Sequence, residues 1–156
     1  MSYAIKIDDE TISAQAFINF LKLSNNFYPL AREFINFKIA AKEAKKKGIE
    51  VSDAELQEGA DATRAKLGLN KANEMQDWLQ KTGISLDEFE IFILEHLYMH
   101  KLIDSVVTDE KLEERFKSVP SKHTPIDSRY KLKAEIADEL YREWIEKQIK
   151  NYNVSL

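Results

Sequence analysis

The chain has no cysteine, only three prolines and only four glycines among its 156 residues. Without thiols it forms no disulfide, no thiolate metal site and no cysteine nucleophile. So little glycine and proline excludes an all-β fold built on many tight turns. It also lacks a long apolar run. The densest apolar stretch, Phe89 to Ile103, is interrupted by Glu90, Glu95, His96, His100 and Lys101. It reads as a buried helix and not as a membrane span. No charge of one sign dominates: the net charge is −4, with both signs mixed along the chain. That pattern is no nucleic-acid footprint. The run Lys45-Lys46-Lys47 reads as the solvated end of a helix, where cations are favoured. The opening MSYAIKIDDE has neither a basic start nor an apolar core, so it does not read as a secretory signal. The location expected on that ground is cytoplasmic, though a mature form stripped of its signal would read the same way. There is no Gly-x-Ser-x-Gly, no glycine-rich phosphate loop and no Walker-type lysine.

What is present is a hydrophobic fraction of 44% with eight Phe, six Tyr and two Trp. This composition excludes disorder. A chain of this length is expected to make one domain over residues 1–156, burying roughly 68–70% of its extended-chain surface. Helix punctuation is its clearest signal. Ala40 to Lys47 are helix formers, Gly48 can take the left-handed conformation that ends a helix, and Ser52-Asp53-Ala54-Glu55 is a capping box that opens the next. Lys81-Thr82-Gly83-Ile84 followed by Ser85-Leu86-Asp87-Glu88 repeats the device.

Read in order, Tyr3, Ile5 and Ile7 alternate as a short strand, Asp8-Asp9-Glu10 turns, and Thr11-Ile12 returns. Ser13 caps a helix with Phe17, Phe20 and Leu21 on one face, and Ser24-Asn25-Asn26 breaks it. Pro29 suits the first turn of the next helix, which presents Leu30, Phe34, Phe37 and Ala41. A weaker helix from Ala54 to Leu67 carries Leu56, Ala60 and Leu67 as a sparse apolar stripe, with Gly59 counting against it. Asn70 is expected to cap a short helix with Met75, Trp78 and Leu79 inside. Leu86 to Ser105 is apolar almost all round, as befits the centre of a bundle. Thr108 caps a short helix bearing Leu112 and Phe116. Ser118 to Ser128, with Pro120, His123 and Pro125, reads as a linker. A last helix, Arg129 to Tyr152, carries Leu132, Ile136, Leu140 and Trp144 on one face and Tyr141, Ile145, Ile149 and Tyr152 on the next. The expected fold is all-α: a compact multi-helix array with a long C-terminal helix packing back and a short N-terminal β-hairpin.

Several pieces share an order and spacing with one family. They are Ile5 to Asp9 followed by Ile12-Ser13-Ala14-Gln15-Ala16-Phe17; Ala44 through Glu55; Gly83 to Phe89; Val107 to Phe116; and a last helix with Glu139-Leu140 and Glu143-Trp144-Ile145. Together they resemble the N-terminal chaperone module of the SurA/PrsA-type foldases, the parvulin-linked peptidyl-prolyl isomerases. The resemblance implies a SurA-N-like or trigger-factor-like array. Residues 1–117 would supply its N-terminal helices, 118–128 a linker in place of the parvulin domain, and 129–156 the returning helix. It implies a peptide-handling role and argues against prolyl isomerase activity, because the catalytic domain is missing.

Two functional readings follow. In the first, a non-catalytic chaperone-like module holds an unfolded or extended client. It works without cofactor or resident metal, and could be an accessory factor in peptide maturation or export. Phe27, Tyr28, Phe34, Met75, Trp78, Met99 and Trp144 are its candidate binding residues, with Phe27 and Tyr28 displayed at the break between two helices and the methionines suited to adaptable contacts. In the second, a small enzyme uses the helical cavity, with or without metal assistance. His96, His100 and Asp104 lie four residues apart on one helix face and could carry acid–base or metal chemistry. The plainer account of the two histidines is that they are partly buried and satisfied by carboxylates or carbonyls. A homodimer formed by exchange of the C-terminal helix is compatible with either reading.

Overall fold

The computed structural model describes residues 4–119 and 126–155. Its elements are β1 (Ala4–Ile7), β2 (Glu10–Ser13), α1 (Ala14–Leu23), α2 (Phe27–Lys46), α3 (Asp53–Lys66), α4 (Ala72–Thr82), α5 (Leu86–Val106), α6 (Asp109–Ser118) and α7 (Ile126–Ile149). The fold is all-α with one short antiparallel hairpin, in which Ile7 pairs with Glu10 across Asp8-Asp9.

Local chemistry sets most of the boundaries. Ser13, Ser52, Ser85 and Thr108 each accept a backbone N–H from the first turn of the helix they open. Glu55 and Glu88 close two full capping boxes. At the other ends, Gly48 (φ 71°) and Gly68 (φ 72°) sit in Schellman motifs. The amide of Ile49 reaches the Ala44 carbonyl at 3.0 Å, and that of Leu69 reaches Arg64 at 2.8 Å. The apolar residue after each glycine then turns inward, as this motif favours. Ile49 packs on the main core, and Leu69 is buried in a second one.

The main core joins α2, α5 and α7. Ile39, Ala40 and Ala44 of α2 meet Leu102 and Val106 of α5 and Ile145 of α7, with Leu140 and Trp144 packed against them. Leu102 and Ile145 are the largest fully buried side chains. The two alanines of α2 matter because small residues let helices approach closely. The second core holds Leu69, Met75, Phe89 and Ile93, flanked by Leu56, Ala60, Trp78, Leu79 and Leu97. Gly59 explains how α3 belongs here. A β-carbon at that position would lie 2.9 Å from Ile93 Cγ2, so the glycine admits α5.

Several expectations are corrected. Leu56 and Ala60 of the α3 stripe are covered, but Leu67, at the C-cap, is exposed. Lys71 and not Asn70 occupies the N-cap of α4; it lacks a side-chain cap, and Glu74 accepts from its backbone N–H instead. The Ser118–Ser128 linker shortens to residues 119–125, because Ser118 ends α6 and Ile126 already begins α7. Residues 120–125, with Pro120, His123 and Pro125, lie outside the described residues, as does Tyr3. Helix α7 ends at Ile149, three residues before the expected Tyr152. It packs on α2, α5 and α6 of its own chain. The largest correction concerns the N-terminal helices. Phe17 and Phe20 of α1 and Leu30 and Phe34 of α2 are exposed, although each lies on a helix face expected to be covered. Helix α1 packs on β2 and α2, so the hairpin, α1 and the exposed first turns of α2 form an arm beside the two cores.

Candidate functional site

Helices α2 and α5 run in parallel. Phe37, midway along α2, lies against Phe92 and His96 in the first half of α5, while the Glu50 carbonyl beyond α2 accepts from Lys101 near the end of α5. Their two N-termini therefore share one end of the molecule. Most of the exposed large apolar side chains belong to two regions: the arm contributes Phe17, Phe20, Leu23, Tyr28, Leu30 and Phe34, and the α4–α5 region contributes Leu67, Ile84, Leu86, Ile91 and Phe92. Single exposed apolar residues are ordinary, and a recess lined by several of them is the feature to look for.

At that end lies an apolar cleft of about 390 Å³ between α3, α4 and α5. Thr63 and Leu67 form one wall, Trp78 and Ile84 another, and Glu88, Phe89 and Phe92 the third. Trp78 meets Phe89 edge-on, with centroids 6.1 Å apart, which fixes the indole beside the cleft. The two polar side chains are already engaged. The Thr63 hydroxyl donates to the Gly59 carbonyl at 2.8 Å. The Glu88 carboxylate accepts from the Ser85 amide at 2.8 Å and from its hydroxyl at 2.9 Å. Those bonds, the backbone one foremost, hold Glu88 below the usual carboxylate range. What remains open is apolar.

A second, smaller cleft of about 290 Å³ continues along the same seam, with Gly59, Lys66, Ile93, His96 and His100 in its walls. The two clefts share Thr63 and Phe92. Together they form a furrow along α3 and α5 from Glu88 to His100. At about 1.5 Å rise per helical residue that run is on the order of 18 Å long, which matches five or six residues of extended chain. Hollows along α6, the largest about 560 Å³, are walled by Asp109, Glu110, Glu113, Glu114 and Lys117 and are open to water.

Of the candidate catalytic residues, His96 is engaged by its own helix and by two aromatic rings. His96 Nδ1 lies 3.0 Å from the Phe92 carbonyl. A carbonyl only accepts, so that nitrogen is the protonated one. The ring rests between Phe92 and Phe37, with centroids 4.1 and 4.5 Å away. His100 and Asp104 are exposed. Among the described residues no three His, Cys, Asp or Glu side chains gather as a metal would require.

The seven candidate binding residues separate into three groups. Phe27, Tyr28 and Phe34 lie on the arm, within the first turns of α2 and not in a break before it. Phe27 is half-buried against Tyr28, with centroids 5.5 Å apart, and Lys22 lies over its ring. Trp78 lines the cleft, and Met75 lies buried beneath it. Met99 and Trp144 belong to the main core and do not line the furrow. Leu67, Ile84 and Phe92 are the furrow residues that the sequence did not single out. Ile84 had a signal of a kind: it follows a helix-ending glycine, as Ile49 and Leu69 do, yet it stays partly open at the cleft.

Comparison of the chain with protein-family models, with curated proteins and with solved structures found no match. No described helix is long and apolar enough to cross a membrane.

Proposed function

We propose that the protein is a non-catalytic binding module that holds an extended segment of a client polypeptide along the α3–α5 furrow. The observation that carries this reading is the Trp78 cleft: an open, apolar recess whose two polar side chains are already engaged by hydrogen bonds. Such a recess rewards apolar side chains and offers no free nucleophile or base. A large aliphatic or aromatic side chain of the client enters beside Trp78, and the following residues run past Phe92 toward His100. Adaptable apolar contact of this kind gives affinity with little sequence selectivity. The sequence resemblance to SurA/PrsA-type foldase modules supports the same assignment, with the client unfolded or newly made.

The test is binding of short aromatic-rich peptides, followed by Trp78 emission in a Trp144→Phe background. Micromolar affinity with a blue shift is expected, weakened about tenfold or more by Phe92→Glu, which places a carboxylate in an apolar recess. Peptides that bind equally well to Phe92→Glu, or that fail to bind at all, would overturn the proposal.

A further inference from the structure

Apart from Glu88, every ionisable side chain in the furrow walls is a nitrogen base. The chain as a whole is acidic, with 27 Asp and Glu against 23 Lys and Arg. Yet Glu88 is the single carboxylate of the two clefts, and Ser85 already engages it. The others are Lys66, His96 and His100, all in the second cleft. Among the described residues Lys66 makes no ion pair. Glu55 and Glu95, on the same two helices, are held by Lys101 at 2.5 Å and by Lys38 at 2.7 Å. Glu58 and Asp104 line neither cleft.

The direction of the helices brings these groups together. Gly59 faces Ile93 and Leu97, while Glu55 reaches Lys101, so α3 runs antiparallel to α5. Helical side chains lean toward the N-terminus of their own helix. Lys66 on one wall therefore leans toward the level of His96, and His100 on the other wall leans back toward the same level. Their roles differ. His96 Nδ1 is committed to the Phe92 carbonyl, which leaves Nε2 as an acceptor suited to a backbone N–H of a bound chain. Lys66 offers a full positive charge and three donors, and His100 a ring N–H. A carboxylate is the group that both can serve, through charge-assisted hydrogen bonds.

We infer that the furrow selects client segments by a carboxylate set about three residues from the large apolar side chain that enters beside Trp78. Phe89, in the first cleft, and His96, midway along the second, lie seven positions apart on α5. At 1.5 Å per residue that is on the order of 10 Å, which extended chain covers in about three residues. The apolar cleft supplies affinity. Lys66 and His100 fix the register and disfavour segments with a cation at that position. The inference rests on the peptide-binding reading, whose apolar anchor it uses. An Asp or Glu side chain and the free C-terminus of a client carry the same carboxylate chemistry.

The test uses matched peptides anchored by a Phe-Phe pair and free of Trp, differing only at one position three residues from the pair, on either side of it. That position holds Glu, Gln or Lys, or is the last residue of the peptide with a free or an amidated end. Affinity is read from Trp78 emission in the Trp144→Phe background at low salt. The Glu peptide or the free-ended peptide should bind about fivefold tighter than its neutral counterpart, and the Lys peptide more weakly than the Gln one. An advantage in the Glu peptide assigns an acidic side chain, and one confined to the free end assigns a client C-terminus. The advantage should vanish in Lys66→Ala/His100→Ala and turn toward the Lys peptide in Lys66→Glu; both positions are exposed. Equal binding of charged and neutral peptides, or an advantage that survives Lys66→Ala/His100→Ala, overturns the inference and leaves the furrow reading intact. Failure of every peptide to bind overturns both.

Discussion

Tyr152 donates its hydroxyl proton to Glu43 Oε1 at 2.5 Å across 109 residues of sequence. The contact ties the segment after α7 to the only buried charged side chain among the described residues. Lys46 completes the arrangement, donating to the same oxygen at 2.9 Å and lying over the Tyr152 ring. Removing the hydroxyl leaves a buried carboxylate with one partner fewer. Tyr152→Phe is expected to lower unfolding free energy by about 1–2 kcal/mol, the lower part of the range for bonds to charged groups because Tyr152 is only half-buried. Urea denaturation with an unchanged slope checks this.

Acid should act on the same carboxylate. Burial pushes the Glu43 pKa up, but the hydrogen bonds from Tyr152 and Lys46 and the charges of Lys46 and Lys47 outweigh it, and the net value lies below the ordinary 4.5. The folded state therefore binds this proton more weakly than the unfolded state. The contribution is complete above pH 4.5 and is lost as pH falls from there through the lower folded value. Glu43→Gln should show a shallower loss of stability in that window. Glu55, held at about 2 by Lys101 and by the Ser52 cap, keeps its share of the acid dependence in both proteins.

Tyr141 offers the opposite case. Its hydroxyl is buried without a hydrogen-bond partner, and burial pushes its pKa up to about 12 from 10.0. Stability it supports is intact below pH 10 and is lost as pH rises through about 12. Spectrophotometric titration should find a late-titrating phenol that disappears in Tyr141→Phe. The same variant should be neutral or more stable by up to about 1 kcal/mol, since it removes an unpaired polar group. A clear destabilisation would show that the hydroxyl has a partner.

Gly59→Ala separates helix propensity from packing. Alanine in a helix interior is worth about 1 kcal/mol over glycine. The new β-carbon would meet Ile93 Cγ2 at 2.9 Å and Leu97 Cδ1 at 3.3 Å. Ile93 is a buried, β-branched neighbour that yields little, and overpacking of this kind costs about 1–3 kcal/mol. The variant should melt a few degrees lower, by roughly 1 kcal/mol net. A higher melting temperature would mean that α3 lies further from α5.

That glycine shows where sequence reading succeeds and where it fails. In the sequence Gly59 only weakens the α3 periodicity, while the structure gives the reason for it on another helix 34 positions away at Ile93. The Trp78 cleft was partly legible, since Trp78 stood out as an aromatic on a short helix. Phe92 did not, because α5 is apolar on every side and nothing local separates its buried Phe89 from its half-open Phe92. Met99 and Trp144 have the chemistry of a binding surface but are taken up by the main core.

The sequence alone determined the helix ends that carry a side-chain cap or a left-handed glycine, because those devices act within about five residues. Ser52 bonds with Glu55, Ser85 with Glu88, Gly48 with Lys45 and Ile49 with Ala44 across those short spans whatever surrounds them. Only the tertiary structure decided which apolar faces are covered. An amphipathic stripe records that a face avoids water and carries no record of its partner. Phe34 and Ala41 lie on one stripe of α2, yet Ala41 is buried and Phe34 is open to water, because the neighbouring helices reach only part of the way along it.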